Sequence, residues 1–186
     1  QSNQIKYTNN TTPTWRSDIR YSLREESGNK SSVETDEKGE YLKIDLSDEV
    51  QKELDSLKGE ARAEFVEKFI NSAFRNVPFE MDNGKTAYVT GTGAKKMAHS
   101  FFEPKQKAVL ALDKLLSAAK FFTADNDVEH KKFDSFDYFN ARVKIGDEMY
   151  ACVVNVGTTK GGGLYQVYDI NQFKKEKDSP TGVSPL

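Results

Sequence analysis

Cysteine is almost absent from this sequence: Cys152 is the single thiol among 186 residues. One thiol excludes an intramolecular disulfide and also a zinc site built from several thiolates. Cys152 stands within the apolar run 149–156, and no activating base is near it in the sequence. Because a catalytic thiol needs such a base to lower its pKa, we expect Cys152 to be a small buried core residue.

Long apolar runs are missing as well. None approaches the roughly 20 residues that a membrane-spanning helix requires, and the polar residues 1–10 show no signal-peptide pattern. We expect no membrane partner and a cytoplasmic protein. Secretion stays open, because the sequence starts without methionine and a leader removed from a longer precursor would leave such a start.

Histidine is the third scarce residue: only His99 and His130 are present, without a His-Glu-x-x-His motif or paired Cys/His spacing. Asp125, Asp127 and Glu129 alternate in one segment, but that segment lacks the turn glycine and the terminal glutamate of a calcium-binding loop. Two glycine-rich segments lack the complete fingerprint of a nucleotide-binding loop. We therefore expect neither a metal nor a cofactor.

Charge of one sign does not dominate the chain. The net charge is −2, which gives no overall attraction to nucleic acid. The distribution is uneven, however, since residues 90–132 carry 8 basic and 5 acidic side chains while residues 1–89 carry 13 and 17. The middle of the chain is thus a modest basic island, which is either a solvated helix face or part of a binding site.

Composition divides the chain into three parts. Residues 1–40 are rich in Asn, Thr, Ser and Gly and form a linker-like segment, and residues 174–186 form a polar tail that we expect to be disordered. Residues 41–173 hold the periodic apolar positions of a single domain. We predict an α+β fold, in which N-terminal helices pack on an antiparallel β-sheet that comprises a C-terminal three-stranded meander plus one or more earlier strands.

Periodicity places the elements of that domain. Alternation predicts a strand over 41–47, and Ser47 is the expected N-cap of the helix that follows. Helical spacing predicts a core helix over 60–76 and a further helix from Pro104 to Phe121-Phe122. The meander is assigned to strands 136–145, 148–156 and 164–170, and its apolar face to Phe139, Ala141, Val143 and Ile145.

Residues suited to metal-free RNA cleavage gather around the basic island. Such cleavage needs a base for the 2′-hydroxyl, an acid for the leaving 5′-oxygen and cations for the developing phosphorane charge. Histidine suits the proton transfers, because its ordinary pKa lies near neutrality. On a helix, Lys95 and Lys96 would share a face with His99. The other available residues are His130 beside Lys131 and Lys132, and Thr158, Thr159 and Lys160 in the loop before the last strand.

A plainer interpretation stands beside this one. Both histidines are then ordinary surface residues. In either interpretation we expect Tyr165 and Tyr168 to be packing residues rather than catalysts. On the meander, the face opposite the apolar one carries Arg142, and a polar substrate would lie there if the domain has one.

The order of these features resembles a known family. A Lys-Lys-x-x-His segment at 95–99, a helix, a loop with a second histidine and a meander ending in Gly-Gly-Leu-Tyr-x-x-x-Asp-Ile at 162–170 resemble the RNase domains of the barnase–EndoU–colicin–RelE fold. The version they look most like is found in large polyvalent proteins of phages and conjugative elements. The upstream segment Asp18–Arg24 resembles the linkers of such proteins.

This resemblance implies helices against a four-stranded antiparallel sheet and metal-independent endoribonuclease activity. The partners it implies are RNA, other domains of a longer parent protein and an immunity protein. Two alternatives remain: a non-catalytic interaction module of such a protein, and a secreted domain that binds a small ligand. The implied catalytic residues are His99, His130, Lys95, Lys96, Thr158 and Thr159, and the candidate phosphate-binding residues are Lys95, Lys96, Arg142 and Lys160.

Overall fold

The computed structural model describes residues 30–177 of the chain, in which eight strands and five α-helices are found. The strands are β1 (Ser32–Asp36), β2 (Gly39–Lys43), β3 (Phe79–Glu80), β4 (Thr86–Val89), β5 (Lys120–Asp125), β6 (Phe133–Ile145), β7 (Glu148–Thr159) and β8 (Tyr165–Lys175). The helices are α1 (Asp48–Asp55), α2 (Gly59–Phe74), α3 (Gly91–Ala98), α4 (Glu103–Val109) and α5 (Leu112–Ala118), and a single 3₁₀ turn covers Lys160–Gly162.

The strands form one curled sheet in the order β1-β2-β6-β7-β8-β4-β3, with β5 paired to β6 next to the stretch that β2 occupies. β6, β7 and β8 are consecutive antiparallel strands and form the meander. Among the strands of residues 30–177, only the short β2–β6 and β4–β8 pairs are parallel. The predicted α+β class, with helices on an antiparallel-rich sheet that ends in a meander, is confirmed.

The side of the sheet that faces the helices holds the main core. Phe139 of β6, Val154 of β7 and Ile170 of β8 are fully buried there, together with helical side chains such as Phe74. Burial of each such side chain stabilises the fold by roughly 1.5–3 kcal/mol. The predicted apolar face is confirmed, with Phe139, Ala141 and Val143 buried and Ile145 packed against the same core.

Helix boundaries follow the expected local chemistry. The Ser47 hydroxyl accepts a hydrogen bond from the Val50 amide at 3.3 Å, so Ser47 is the N-cap that the sequence predicts. Gly59 is the first residue of α2 and adopts a positive φ of 56°, which glycine tolerates without steric cost. The core helix predicted over 60–76 is α2.

The first strands differ from the prediction. The strand expected over 41–47 is β2, which starts earlier, and β1 pairs with it inside the segment 1–40 that composition marks as linker-like. Paired structure therefore begins before residue 41. The other end differs too, because β8 continues to Lys175. Residues 1–29, with the Asp18–Arg24 segment, and residues 178–186 lie outside the described residues.

The helix predicted from Pro104 to Phe122 is divided. Helical geometry ends after α4, and Ala111 has φ −111° and ψ 37° before α5 begins. Phe121 and Phe122 belong to β5 rather than to a helix, and the Phe121 ring meets Phe139 at 5.7 Å between centroids. Pairing with β6 decides the conformation of these residues, because aromatic side chains favour strands when a partner strand is available.

Polar contacts of the β3–β4 turn hold the curl of the sheet. Asp137 of β6 accepts hydrogen bonds from Tyr165 Oη at 2.6 Å, Asn83 Nδ2 at 3.1 Å and Lys85 Nζ at 3.2 Å. Burial, and then the hydrogen bond to Asp137, raises the pKa of Tyr165 above its ordinary value. Tyr165 therefore stays protonated and keeps its role as a donor.

Arg142 joins both ends of the described chain to β6. Its guanidinium donates to Asp36 at 2.8 and 2.9 Å and to Glu176 at 2.8 and 3.3 Å. The hydrogen bond from Arg142 holds the pKa of Asp36 at about 2. This fork ties the β1–β2 hairpin to the end of the meander.

We expect Asp36→Asn to lower the free energy of unfolding at pH 7 by on the order of 1 kcal/mol, after allowance for the partial exposure of Asp36. Because its folded-state pKa is depressed, the contribution of Asp36 is present above the ordinary pKa near 4 and is lost as the pH falls to about 2. Urea unfolding between pH 7 and pH 2 measures this. The control is Asp147→Asn in the exposed β6–β7 turn. A difference from wild type that persists at pH 2 would contradict the assignment.

Candidate active site

A small aromatic cluster covers the other face of the meander. Phe133 and Phe136 of β6 pack on Gly157 of β7 and on each other, with ring centroids 5.0 Å apart. Phe136 alternates with Phe139, so it points away from the helices. The ring of Tyr168 lies 5.1 Å from Phe133 and 5.4 Å from Phe136. The cluster is thus a second core, separate from the helical one.

His130 lies on this cluster, in the loop between β5 and β6. Its ring centroid is 5.1 Å from that of Phe133 and 5.5 Å from that of Tyr168. The Lys132 amide donates to His130 Nδ1 at 3.0 Å, so Nδ1 holds a lone pair and a neutral ring carries its proton on Nε2. Nε2 lies 3.3 Å from Tyr168 Oη. With this tautomer, His130 Nε2–H donates to Tyr168 Oη, and the phenol's own proton points away from His130.

Helix α3 brings a cation to the same phenol. Thr90 caps the helix by accepting from the Gly93 amide at 3.1 Å. A Cβ at Gly93 would overlap the carbonyl oxygen of Val167, so glycine is what permits α3 to lie against β8. Three residues further on, Lys96 Nζ lies 5.0 Å from the centre of the Tyr168 ring. Gly93 therefore serves helix packing, and Lys96 reaches Tyr168 as a consequence.

Further lysines lie on the helix and loops next to this position. The Lys160 amide donates to the Lys132 carbonyl at 2.9 Å, which holds the 160–163 loop beside the loop that carries His130. Lys132 Nζ lies 5.5 Å from the Phe133 ring centre, and Lys95 is exposed on α3. Of the candidate phosphate-binding residues, Lys95 and Lys96 thus lie on the helix that contacts Tyr168, and Lys160 lies on a loop bonded to the one that carries His130.

The other predicted site residues have different neighbours. His99 is engaged by Glu67 and Glu60 of α2, at 2.8 and 3.4 Å. The Thr159 hydroxyl accepts from the Leu164 amide at 2.8 Å and closes the loop. Thr158 stands opposite Ser135 and Tyr165 in the sheet. A phosphate at Arg142 would have to displace two carboxylates, so we leave Arg142 out of the site. The structure brings together His130 and Lys96, but it does not bring His99 into this group.

Tyr168 is the residue that sequence reasoning missed as a candidate. In the β7–β8 pairing, Asn155 faces Asp169 while Val156 faces Val167, so Tyr168 is the extra residue of a β-bulge. Bulges redirect a side chain next to a site. The alternation of apolar residues in β8 gives no sign of the extra residue, and from the sequence alone Tyr168 was expected to be a packing residue rather than a catalyst.

A family model matches residues 52–168, which is more than half of the chain; it describes large polyvalent protein-associated domain 3. The chain belongs to this family. The match starts within α1 and ends at Tyr168, so that it includes Lys96, His99 and His130. As a large polyvalent protein-associated domain 3, the chain is of the class that its resemblance to polyvalent proteins implied. No curated protein and no solved structure matches it.

Two further findings concern the described residues of this chain. Among residues 30–177, no helix is long and apolar enough to cross a membrane. No group of three or more His, Cys, Asp and Glu side chains in the same range could hold a metal ion.

Cys152 is buried in the main core, as the sequence predicts, and we expect it to be unreactive. Burial raises the pKa of its thiol to about 12, so very little thiolate exists at pH 8. A chromogenic disulfide reagent should titrate no thiol in the native protein and one thiol in guanidinium chloride. Rapid modification of the native protein would show that the core opens at β7.

The aromatic cluster predicts a steric effect of Gly157→Ala. The added Cβ would lie 2.6 Å from Phe133 Cδ1 and 2.8 Å from Phe136 Cε1, so both rings have to move. We expect the free energy of unfolding to fall by about 1–3 kcal/mol and the ring signals of His130 to shift in NMR spectra. Gly163→Ala is the matched control, because its φ of −73° suits alanine. An unchanged His130 spectrum would mean that Phe133 and Phe136 do not position the imidazole.

Proposed function

We propose that this domain is a metal-independent endoribonuclease whose centre consists of His130, Tyr168 and Lys96. The observation that carries the proposal is that two of these residues meet at the phenol of the third: His130 Nε2 lies 3.3 Å from Tyr168 Oη and Lys96 Nζ 5.0 Å from the centre of the Tyr168 ring. They come from a loop, a β-bulge and a helix. An imidazole, a phenol and an ammonium group are suited to proton transfer and to stabilising a developing phosphate charge.

In the proposed reaction, the 2′-oxygen of RNA attacks the adjacent phosphorus, and the bond from phosphorus to the 5′-oxygen breaks. The proton of the 2′-hydroxyl passes to solvent. Tyr168 gives its proton to the leaving 5′-oxygen, since its hydrogen bond from His130 leaves that proton free to point outward. The phenolate that forms is stabilised by the Nε2–H of His130 and by the ammonium of Lys96. Water, which acts as the base for the 2′-hydroxyl, then returns a proton to the phenolate.

Lysines on three elements would hold the phosphate. Lys96 and Lys95 lie on α3, Lys132 on the loop before β6, and Lys160 on the turn after β7. Because the Lys160 amide donates to the Lys132 carbonyl at 2.9 Å, the two side chains extend from neighbouring positions of the backbone. In this proposal RNA is the substrate, other domains of a longer polyvalent protein are the covalent neighbours, and an immunity protein would cover the lysines.

The proposal predicts RNA cleavage in the presence of EDTA. We expect Tyr168→Phe to slow cleavage by about 100-fold, the usual contribution of a general acid. His130→Gln should slow it about as much, because the ring Nε2–H that stabilises the phenolate is lost. Lys96→Met should slow it by about tenfold or more. Cleavage of a fluorescent RNA oligonucleotide, followed by gel analysis for a 2′,3′-cyclic phosphate, measures all three variants.

Tyr150→Phe and Lys68→Met are the matched controls, since Tyr150 contacts Phe102 and Phe173 at the far end of β7 and Lys68 is exposed on α2. Both should cleave at the wild-type rate. A wild-type protein without activity, or activity that survives in both His130→Gln and Tyr168→Phe, would refute the proposal.

A non-catalytic interaction module is the second candidate, and exposed aromatic residues favour it. Phe101 is 64% exposed and Phe102 41% exposed in the segment between α3 and α4. The Phe102 ring meets those of Tyr150 and Phe173 at 6.1 and 6.0 Å. Apolar patches of this kind often mark protein contacts. The partner would then be a neighbouring domain of the parent protein, and the His130 and Tyr168 variants would leave its binding unchanged.

A further inference from the structure

His99 faces two carboxylates of one helix. Its Nε2 lies 2.8 Å from Glu67 Oε1 and its Nδ1 lies 3.4 Å from Glu60 Oε2. Both glutamates are on α2, where residues seven apart share a face. A carboxylate without a proton can only accept, so the ring is the donor in the hydrogen bond to Glu67. The contact with Glu60 is an ion pair only when the ring is charged. The complete clamp therefore exists only for the charged imidazolium.

The clamp acts on the helix that carries Lys96. His99 is the C-cap residue of α3, and its amide donates to the Lys95 carbonyl at 3.0 Å. The other side of α3 rests on β8 through Gly93. The helix is thus held against the sheet near its start and against α2 at its end. Lys96 lies between these two attachments, over the Tyr168 ring.

We propose that His99 is a positioning residue: when its ring is protonated, it locks the end of α3 to α2 and so fixes Lys96 over Tyr168. Its catalytic consequence rests on the proposed ribonuclease function, whereas the coupling of His99 to Lys96 does not. His99 touches neither Tyr168 nor His130 through its two ring nitrogens, which are both engaged by α2. It acts on the chemistry only through Lys96.

The charges on the elements packed around His99 leave Glu60 and Glu67 as its partners. On α4, Lys105 pairs with Asp169 of β8 at 3.2 Å, and Glu103 lies 3.9 Å from Arg62. Besides Glu60 and Glu67, the elements that pack on α3 carry Glu64 on α2, Glu103 and Lys105 on α4, and Asp169 on β8. Loss of the ring proton therefore affects the α2 contact first.

Deprotonation weakens the clamp unevenly. A neutral ring can keep one donor, and the shorter contact to Glu67 is the better one to keep. The lone pair on Nδ1 would then face the carboxylate of Glu60 and repel it. Because the Glu60 side chain is 64% exposed, it can turn into solvent. The end of α3 is then held at one point instead of two, and Lys96 is less firmly placed.

The coupling is tested first by NMR, without any measurement of activity. The full chain is labelled at lysine and histidine in the His130→Gln background, which removes the titration of the other imidazole. Between about pH 5 and pH 8, the range in which histidines usually titrate, the side-chain signals of Lys96 should follow the ring signals of His99. The same Lys96 shift should be absent from His99→Gln. A Lys96 signal that ignores the His99 titration, or that shifts equally in His99→Gln, would overturn the proposal.

Cleavage rates then separate positioning from proton transfer. A glutamine amide can donate to Glu67 but cannot transfer protons, so His99→Gln should retain activity within about threefold of wild type, while His99→Ala should lose about tenfold. His130→Gln, by contrast, should lose about 100-fold. The component of the pH–rate profile that is due to protonation of His99 should be present in wild type and absent from both His99 variants. Melting curves identify any variant that fails to fold, and in that case His99→Gln and the NMR titration decide.

Two outcomes distinguish failure of this inference from failure of the proposed function. If His99→Gln is as slow as His130→Gln while the Lys96 signals stay in place, then His99 acts chemically and the positioning role is wrong. If wild type cleaves no RNA but Lys96 still follows His99, then the ribonuclease proposal fails and the clamp stands.

Discussion

Strand β6 contributes side chains to two separate cores, one on each face of the sheet. Its residues alternate, so Phe139 and its neighbours face the helices while Phe136 faces the opposite side. The helical side is closed mainly by apolar packing of α2 and α5. On the opposite side, the loop before β6 covers the aromatic rings with His130. An imidazole on a partly open aromatic surface is the consequence of that division.

Local sequence patterns predicted the core between the sheet and the helices well. The alternation of β6, the cap at Ser47 and the spacing of α2 are local features, and each appears where the sequence places it. The second core could not be predicted, because it depends on the extra residue Tyr168 and on the close approach that Gly93 allows. Both depend on pairing between residues far apart in sequence. The same holds for β5, whose phenylalanines read as a helix end until β6 is present to pair with them.

The two histidines show why residue type and sequence neighbours do not determine a role. Each stands near two lysines in the sequence, and this made them equivalent candidates. In the fold, His99 turns toward glutamates of α2, while His130 turns toward a phenol and two phenyl rings. Helical spacing rightly placed Lys96 near His99 on one helix, yet their side chains contact different elements. What decides each role is the partner contributed by another part of the chain.

The distribution of cations also limits what the proposed enzyme would recognise. Arg142 and Lys105 are occupied by carboxylates within the fold, and so they offer no charge to a substrate. The lysines that remain for a substrate are the few on α3 and on the two loops of the proposed site. The net charge of −2 gives no long-range attraction to a polyanion. Each phosphate contact on RNA adds to affinity and to its salt dependence. A site with few such contacts has to select RNA by the geometry around one phosphate, and therefore by the correct placement of Lys96.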